Sequence, residues 1–593
     1  MLFCDEVISI IIRFLFFALI LVGLGLFFRV ILKMPFALLP GAVLCSLGIT
    51  LYVAGILNCM VEIAWLICGV SIYSLIKYIK KGKAIAYLKK EALSKVLFLA
   101  GIMYLLYYAK GGVYADGDTL THWGVIIREM HEVNRMPNFT TSQVYYQTYP
   151  TGIAGLIWFF TYIIGYSEGV TIFAQGLLVI SLLSSLFVFV SRERKNERYV
   201  SAITIIMLFV YSIHYNVHLD DLKVDNLLPL LTLYSAASIF FYKKQGEKCG
   251  IVASCLGICM LPITKTSGLL FVLYVLLYEE FFFGRERRIP LRRVLVLYVV
   301  VPMLLYYLWR KHTSLVFLDA DSTRHAVSLS SLSSVYSSRT IEEIRMILSN
   351  YTFRWLYNVS NGSHEWSFLA LACFPLIIQC LPIRSIKKNK RVALMKLIVI
   401  LGGYLLYKLS LLSMYIFNMS GADALHLGSY DRYMSSITIL LSTIAVIEWL
   451  DLSFSIENRI CLMLAPIILG MILFINPDSL AALKKPDYQK DGVYRNLKRI
   501  QMQYGIPEKG GRVLVYSHDR YVSFYVFYCF QSNDAWAIDK EAFERSCRET
   551  PDYYSYLIIL DHDEDIDETL SICGYSLDEE CIMLRKENNA IIT

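Results

Sequence analysis

The sequence predicts an all-α polytopic membrane protein with about 14 transmembrane helices, followed by a small C-terminal extracytoplasmic α/β domain. Of its 593 residues, 56% are hydrophobic and only 18% are charged, whereas a soluble protein carries roughly 25% charged residues. The mean hydropathy is +0.52. Because the stretch after about residue 477 is itself rich in charge, the chain before it must be strongly apolar. The expected partner is therefore a lipid bilayer, and a net charge of +7 does not indicate nucleic acid.

Apolar segments of membrane-spanning length recur along the first four fifths of the chain. A helix needs about 20 apolar residues to cross the roughly 30 Å hydrocarbon core. The predicted spans are 8–28, 35–57, 60–79, 92–109, 168–190, 199–217, 226–242, 250–264, 266–283, 291–309, 366–383, 393–416, 430–452 and 458–476. They divide the chain into N-terminal transmembrane helices (1–95), a membrane core (96–476) and a soluble domain (477–593).

Lysine and arginine clusters orient these spans, because such clusters favour the cytoplasmic side. Five clusters lie at 77–90, 192–198, 243–248, 285–293 and 384–391. All five fall on one side only if the short segment 151–166 does not cross the membrane. We therefore expect 151–166 to form a re-entrant or interfacial helix on the outer face of the cell membrane. Both termini, the tail and the loops 110–167, 310–365 and 417–429 are then extracytoplasmic.

The tail, at about 485–593, alternates strand-like and helix-like pieces. RVLVYS at 512–517 and YSYLIIL at 554–560 indicate buried strands, and 519–530 and 539–547 indicate helices. A small α/β domain fits this order. The tail contains four cysteines: Cys529, Cys547, Cys573 and Cys581. In an oxidising compartment two of them could form a disulfide, and their spacing does not indicate which two.

The first outer loop gathers polar side chains directly after a span. Asp116 and Asp118 lie in a glycine-containing turn, and His122 and Trp123 open the helix that follows. A carboxylate here could act as a general base, or the aspartates and His122 could hold a divalent metal. The alternative is that the aspartates only cap the helix that begins at Thr119.

That helix has an amphipathic pattern. Its apolar stripe consists of Trp123, Ile126, Ile127 and Met130, and the charged residues off the stripe are Arg128, Glu129 and Glu132. A helix of this kind is expected to lie in the membrane interface.

Several short motifs occur in an order that resembles a known superfamily. The first is Asp118-x-x-x-His122-Trp123, and the second is Tyr149-Pro150-Thr151-Gly152. LPITKTSGLLF at 261–271 and YDRYMSS at 430–436 follow. Together they resemble the GT-C superfamily of multi-pass glycosyltransferases that use polyprenyl-phosphate-linked sugars. Thr119 and Thr151 depart from the superfamily's usual residues, and three or four additional spans precede its usual first one.

The resemblance implies a transferase acting on a cell-envelope acceptor at the outer face. It places the acceptor-activating carboxylate at Asp118, with Asp116 as the fallback and His122 beside them. It implies that Lys265 and Arg432 hold the donor phosphate, although Lys265 could instead extend to the interface and Arg432 could pair with Asp431 or Asp423. It also assigns Trp123, Tyr149 and Tyr433 to substrate binding. Metal dependence, the sugar and the acceptor stay open.

Two further polar clusters are weaker signals. HYNVHLDDLKVDN at 214–226 is interpreted as a solvated turn between spans, with a metal pair at His214 and His218 as the alternative. DADSTRH at 319–325 begins the second outer loop, where Arg324 and His325 could contact a diphosphate.

Two other function classes compete with a transferase. A polysaccharide polymerase or ligase of the O-antigen type would rely on outer-loop arginines, and the early Asp-x-x-x-His-Trp loop favours the transferase instead. A transporter or flippase usually shows inverted repeats and broken helices at mid-membrane. We find no convincing repeat, and the polar residues gather at the predicted outer surface.

The predicted topology can be tested by labelling. If 151–166 does not cross the membrane, a single cysteine at position 195 is cytoplasmic and resists membrane-impermeant maleimide in intact cells. Ready labelling there from outside would place the basic run 192–198 on the outer face and overturn the topology.

Overall fold

The structure is a computed structural model in which helices predominate. It describes residues 2–80, 91–138, 144, 146–189, 203, 219–281, 289–317, 329–357, 365–380, 390–455, 467, 484–486, 492–509, 512–519, 521–531, 536–538, 541, 545, 554–561, 568, 582–587 and 590–592.

The helices before the tail are numbered in chain order. They are α1 (Leu2–Leu32), α2 (Leu39–Ile56), α3 (Met60–Lys80), α4 (Ala92–Ala109), α5 (Gly124–Val133), α6 (Gly152–Ile164), α7 (Glu168–Leu183), α8 (Leu227–Gln245), α9 (Cys249–Thr264), α10 (Gly268–Phe281), α11 (Val301–Val316), α12 (Leu329–Ser337), α13 (Ile341–Tyr357), α14 (Glu365–Cys380), α15 (Lys390–Phe417), α16 (Gly421–Leu425) and α17 (Tyr430–Ser455). π-Helical turns at Thr119–Trp123 and Val294–Val300 precede α5 and α11.

Within the described residues, seven helices are long and apolar enough to cross a membrane. They are Ile8–Leu32, Phe36–Ile56, Met60–Lys80, Ala92–Ala109, Glu168–Val188, Leu291–Val316 and Lys390–Phe417. All seven coincide with predicted spans, which supports a helical membrane protein. The count of 14 is not confirmed: α9 and α14 have 16 residues each, shorter than a full span. The predicted spans 199–217 and 458–476 lie almost entirely outside the described residues.

Segment 151–166 forms the 13-residue helix α6. At 1.5 Å per residue such a helix is only about 20 Å long, too short to cross a roughly 30 Å core. It packs against α1, α2 and α7, and Leu156 to Phe160 are almost completely buried. Its length fits a re-entrant helix, whereas its burial does not fit a helix lying on an open surface.

The tail contains helices α18 (Gly492–Gln503) and α19 (Val522–Phe530) and one five-stranded sheet. The strands are β1 (Val513–Tyr516), β2 (Trp536–Ile538), β3 (Tyr556–Ile559), β4 (Ile582–Glu587) and β5 (Ala590–Ile592), in the order β2-β1-β3-β4-β5. β1 is parallel to β2 and β3, whereas β4 is antiparallel to β3 and β5. The strands predicted at 512–517 and 554–560 are therefore present. Cys529 is a free, buried thiol, and the other three tail cysteines lie outside the described residues.

Tyr528 of α19 attaches the tail to the membrane bundle. The Arg128 guanidinium lies 4.1 Å from the Tyr528 ring centroid and donates to its backbone oxygen at 2.8 Å. The Tyr528 hydroxyl lies 3.0 Å from that of Tyr166. Beside them, Glu168 accepts hydrogen bonds from the Tyr494 hydroxyl at 2.6 Å and the Tyr114 amide at 2.7 Å.

This attachment corrects the interfacial interpretation of helix α5. Arg128 and Glu129, expected to face water, are 8% and 6% exposed. α19 packs against the π-helical turn that leads into α5, and Tyr528 covers Arg128. The amphipathic pattern is real, but its polar face is turned to the tail.

Among the described residues, three lysine–glutamate pairs lie buried between helices of the bundle. Nitrogen–oxygen distances are 3.0 Å for Lys243–Glu279, 2.7 Å for Lys396–Glu448 and 3.3 Å for Lys408–Glu365. The Lys408 ammonium also lies 4.9–5.3 Å from the ring centroids of Tyr430, Tyr351 and Trp355. Removing one partner of a buried pair leaves an uncompensated charge.

We expect Lys408→Met to destabilise the protein strongly, by about 3–5 kcal/mol, because it leaves Glu365 buried without its cation. The double variant Lys408→Met/Glu365→Gln should recover most of that loss. Thermal unfolding of purified protein in detergent measures both. A single variant as stable as the wild type would show that the pair does not hold α14 to α15.

Candidate active site

Asp116 caps the π-helical turn, Thr119–Trp123, that leads into α5. Its Oδ2 accepts hydrogen bonds from the Thr119 amide at 3.1 Å and the Thr119 hydroxyl at 3.3 Å. Its Oδ1 lies 2.5 Å from the Lys223 ammonium. The capping alternative therefore applies to Asp116, because both oxygens of its carboxylate have structural partners.

Asp118 makes no capping bond and instead pairs with Arg432, at the first turn of α17. Its side chain is 38% exposed. The partners suggested for Arg432 by sequence are engaged elsewhere: Asp431 accepts from Arg354 at 2.8 Å, and Asp423 accepts from Ser420 at 2.5 Å. Two aspartates that lie in the same turn therefore have different contacts: Asp116 caps the turn, and Asp118 pairs with Arg432.

Asp225 joins the two predicted phosphate-binding cations. The Lys265 ammonium lies 2.6 Å from Asp225 Oδ1, and Arg432 Nε lies 3.8 Å from Asp225 Oδ2. Burial alone would raise the pKa of Asp225, but Lys265 and Arg432 outweigh it and hold that pKa below its usual value. Lys265 does not simply extend to the interface, because a buried carboxylate holds it.

The local backbone explains where Lys265 lies. α9 ends at Thr264, and Lys265 to Gly268 form the turn into α10, closed by a Gly268 N–H to Lys265 oxygen bond of 2.8 Å. A Cβ at Gly268 would stand 2.1 Å from the Leu261 carbonyl oxygen. Only glycine allows α10 to begin this close to the end of α9.

His122 lies inside an aromatic cluster and is 0% exposed. Its ring centroid is 4.5, 5.1 and 5.4 Å from those of Trp123, Tyr146 and Tyr149. Its Nδ1 accepts from the Tyr146 amide at 3.4 Å, and its Nε2 has no hydrogen-bond partner in the described part of the chain. Burial, and next the charge of Lys265, lower the pKa of His122 to about 3, so the imidazole is neutral near pH 7.

The three predicted substrate-binding residues line one cavity. Trp123, Tyr149 and Tyr433 surround a space of ≈ 450 Å³ together with Asp118, Asp225, Lys265 and Arg432. We call it the polar cavity. Lys265 lies 5.6 Å from the Tyr149 ring centroid and 5.5 Å from that of Tyr433, so cations and aromatic rings share its wall.

A second space of ≈ 660 Å³ adjoins the polar cavity. We call it the apolar cavity, because much of its wall consists of Leu228, Leu270, Phe271, Leu411, Met414 and Phe417. Both cavities are lined by Tyr149, Asp225, Lys265 and Tyr433. The ion pair Lys265–Asp225 therefore stands where a charged space meets an apolar one.

Sequence reasoning missed part of this site. The segment interpreted as a solvated turn is buried where it is described: Asp221, Asp225 and Asn226 are each 5% exposed. The sequence feature that could have identified this part of the site is the pair Asp225-Asn226, which stands directly before an apolar run. Tyr146 and Phe524 also lie at the site. Arg324, His325, His214 and His218 lie outside the described residues.

A metal site is not apparent among the described residues. No group of three or more His, Cys, Asp or Glu side chains there is placed to hold an ion. The Lys223 ammonium lies between Asp116 and Asp221, at 2.5 and 3.5 Å.

The neutral state of His122 predicts a pH dependence. Its folded pKa of about 3 lies below the ordinary 6.5, so the unfolded chain binds more protons between these values. His122 therefore lowers the free energy of unfolding as pH falls from about 6.5 towards 3. His122→Phe should flatten this slope in detergent unfolding experiments. An unchanged slope in His122→Phe would contradict the buried, neutral imidazole.

No protein-family model matches the chain, and no curated protein matches it. The function must therefore be argued from the contacts of the two cavities.

Proposed function

We propose that this chain is an integral membrane glycosyltransferase of the GT-C type. It moves a sugar from a polyprenyl-phosphate-linked donor to a cell-envelope glycan, lipid or protein at the outer face of the membrane. The observation that carries the proposal is the junction of the polar and apolar cavities at Lys265 and Asp225. A ligand that fills both cavities needs an apolar chain and a polar head, and a phosphate between the two would lie beside the cations Lys265 and Arg432.

The donor fits this junction in one direction. The polyprenyl chain occupies the apolar cavity, and its phosphate lies against Lys265 and Arg432. Both cations are already held in place by Asp225, so little side-chain freedom is lost on binding. The sugar then projects into the polar cavity beside Tyr149 and Tyr433.

In this proposal Asp118 acts as the base. A donor phosphate that attracts Arg432 competes with Asp118 for the guanidinium, which leaves the carboxylate free for the acceptor hydroxyl. The acceptor oxygen attacks the anomeric carbon, and its proton passes to Asp118. The bond from that carbon to the phosphate oxygen breaks, and its electron pair leaves with polyprenyl phosphate, whose charge Lys265 and Arg432 stabilise.

His122 has a supporting role in this proposal. Its imidazole is neutral and enclosed by Trp123, Tyr146 and Tyr149, so it is a poor proton donor near neutral pH. It fixes the aromatic side of the polar cavity. Asp116 likewise holds the turn in place through Thr119 and Lys223.

The competing classes find less support. Two arginines of the second outer loop are engaged in structure: Arg339 donates to three carbonyls at the end of α15, and Arg354 binds Asp431. This does not favour a polymerase or ligase that relies on such arginines. Buried ion pairs such as Lys408–Glu365 are a feature of transporters, but none of the three lysine–glutamate pairs lines either cavity.

The decisive test compares two aspartates in a transfer assay. Purified protein is incubated with radiolabelled polyprenyl-phosphate sugars and cell-envelope fractions. Asp118→Asn should lower turnover by about 10²–10⁴-fold, the usual contribution of a general base, with little change in thermal stability. Asp116→Asn keeps a capping oxygen but weakens the Lys223 pair, so it should cost more stability and less turnover. Equal, mild losses in both variants would remove this loop from the mechanism, and a wild type that transfers no sugar would favour transport.

A further inference from the structure

Helix α19 belongs to the tail, yet one of its side chains reaches the candidate active site. Phe524 lines the polar cavity together with Asp118, Thr121 and Arg432. Phe524 and Tyr528 are four residues apart, so they lie on the same face of the helix. Because Tyr528 is anchored by Arg128 and Tyr166, the position of the Phe524 ring is fixed by the same attachment.

The ring approaches the turn that carries both aspartates. A Cβ at Gly117 would stand 3.1 Å from two carbons of the Phe524 ring. Glycine at this position therefore lets the ring lie close against the backbone between Asp116 and Asp118. Phe524 does not line the apolar cavity, so it belongs to the side of the site away from the proposed lipid chain.

Phenylalanine offers no hydrogen-bonding group, so this side chain cannot move a proton. What it adds is an aromatic face. Aromatic rings carry negative charge on their faces, which attracts the C–H groups on one face of a sugar ring. The hydroxyl groups of the sugar need charged and polar partners. The polar cavity supplies both kinds of surface, with Phe524 and Trp123 beside Asp118 and Asp423.

We propose that Phe524 is a platform for a sugar ring of the acceptor, so that the tail helps to select a carbohydrate-bearing acceptor. This inference rests on the proposed function and narrows it to glycan or glycolipid acceptors. The donor phosphate lies against Lys265, which lines both cavities, and Arg432, whereas Asp118 and Phe524 of the polar cavity face the acceptor.

Thermal unfolding of the full chain in lipid nanodiscs tests this without an identified acceptor, because a ligand of the folded state raises the melting temperature. The probes are polyprenyl phosphate and, separately, a panel of methyl pyranosides titrated up to their solubility. The wild type should respond to polyprenyl phosphate and to at least one glycoside. Phe524→Ala and Phe524→Leu should bind that glycoside about two- to tenfold more weakly and keep the polyprenyl phosphate response. Phe524→Trp keeps an aromatic ring at this position and should bind the glycoside about as well as the wild type.

Two variants serve as controls. Phe527→Ala removes the same ring from the same helix at a position that packs on the bundle and does not line the polar cavity, so it should leave glycoside affinity unchanged. Lys265→Gln should lose the polyprenyl phosphate response and keep the glycoside affinity, the opposite of Phe524→Ala.

The outcomes separate the two proposals. Glycoside affinity that is unchanged in Phe524→Ala and Phe524→Leu, an equal loss in Phe527→Ala, or a wild type that binds no glycoside would overturn the platform. A wild type that ignores polyprenyl phosphate and transfers no sugar from any of the labelled donors would overturn the proposed function itself.

Discussion

The arrangement of the polar cavity depends on how buried charges are paired. Removing an ion from water costs several kcal/mol unless an opposite charge and hydrogen bonds compensate. Asp225 compensates two cations at once, Lys265 at 2.6 Å and Arg432 at 3.8 Å, and Arg432 has Asp118 as its second partner. Because the two cations are matched by two carboxylates, an added phosphate must displace a carboxylate or arrive with a proton. Asp118, the more exposed of the two carboxylates, is the one that can be displaced.

Local sequence patterns predicted elements of the fold well. Long apolar runs identified the seven helices of membrane-spanning length, and the runs VLVY and YLII of the tail form strands β1 and β3. These features depend on residues within one segment. The number of spans could not be settled in this way, because α9 and α14 are apolar yet only 16 residues long.

The sequence predicted which residues belong to the candidate site, but not which of them form ion pairs with each other. Asp118, Lys265 and Arg432 could each be singled out from short motifs. Only the family resemblance ranked Asp118 above Asp116. Their different contacts could not be predicted, because the partner of Asp118 is Arg432, 314 residues away. The burial of Asp225 and the apolar-to-polar junction likewise depend on helices that are distant in the chain. Helix α5 is a further example. The sequence predicted its amphipathic pattern correctly, but it did not predict that the tail covers its polar face.

The attachment of the tail also has a consequence for when the site is completed. The contact between Arg128 and Tyr528 spans 400 residues of chain, and that between Tyr166 and Tyr528 spans 362. A ribosome releases the first outer loop long before α19 has been synthesised, so Arg128 and Glu168 must wait without their tail partners while the later spans insert. Contacts of such large sequence separation form slowly and late. The polar cavity therefore gains the wall formed by Phe524 only after α19 has been synthesised, and a shorter nascent chain in the membrane cannot yet present the finished site.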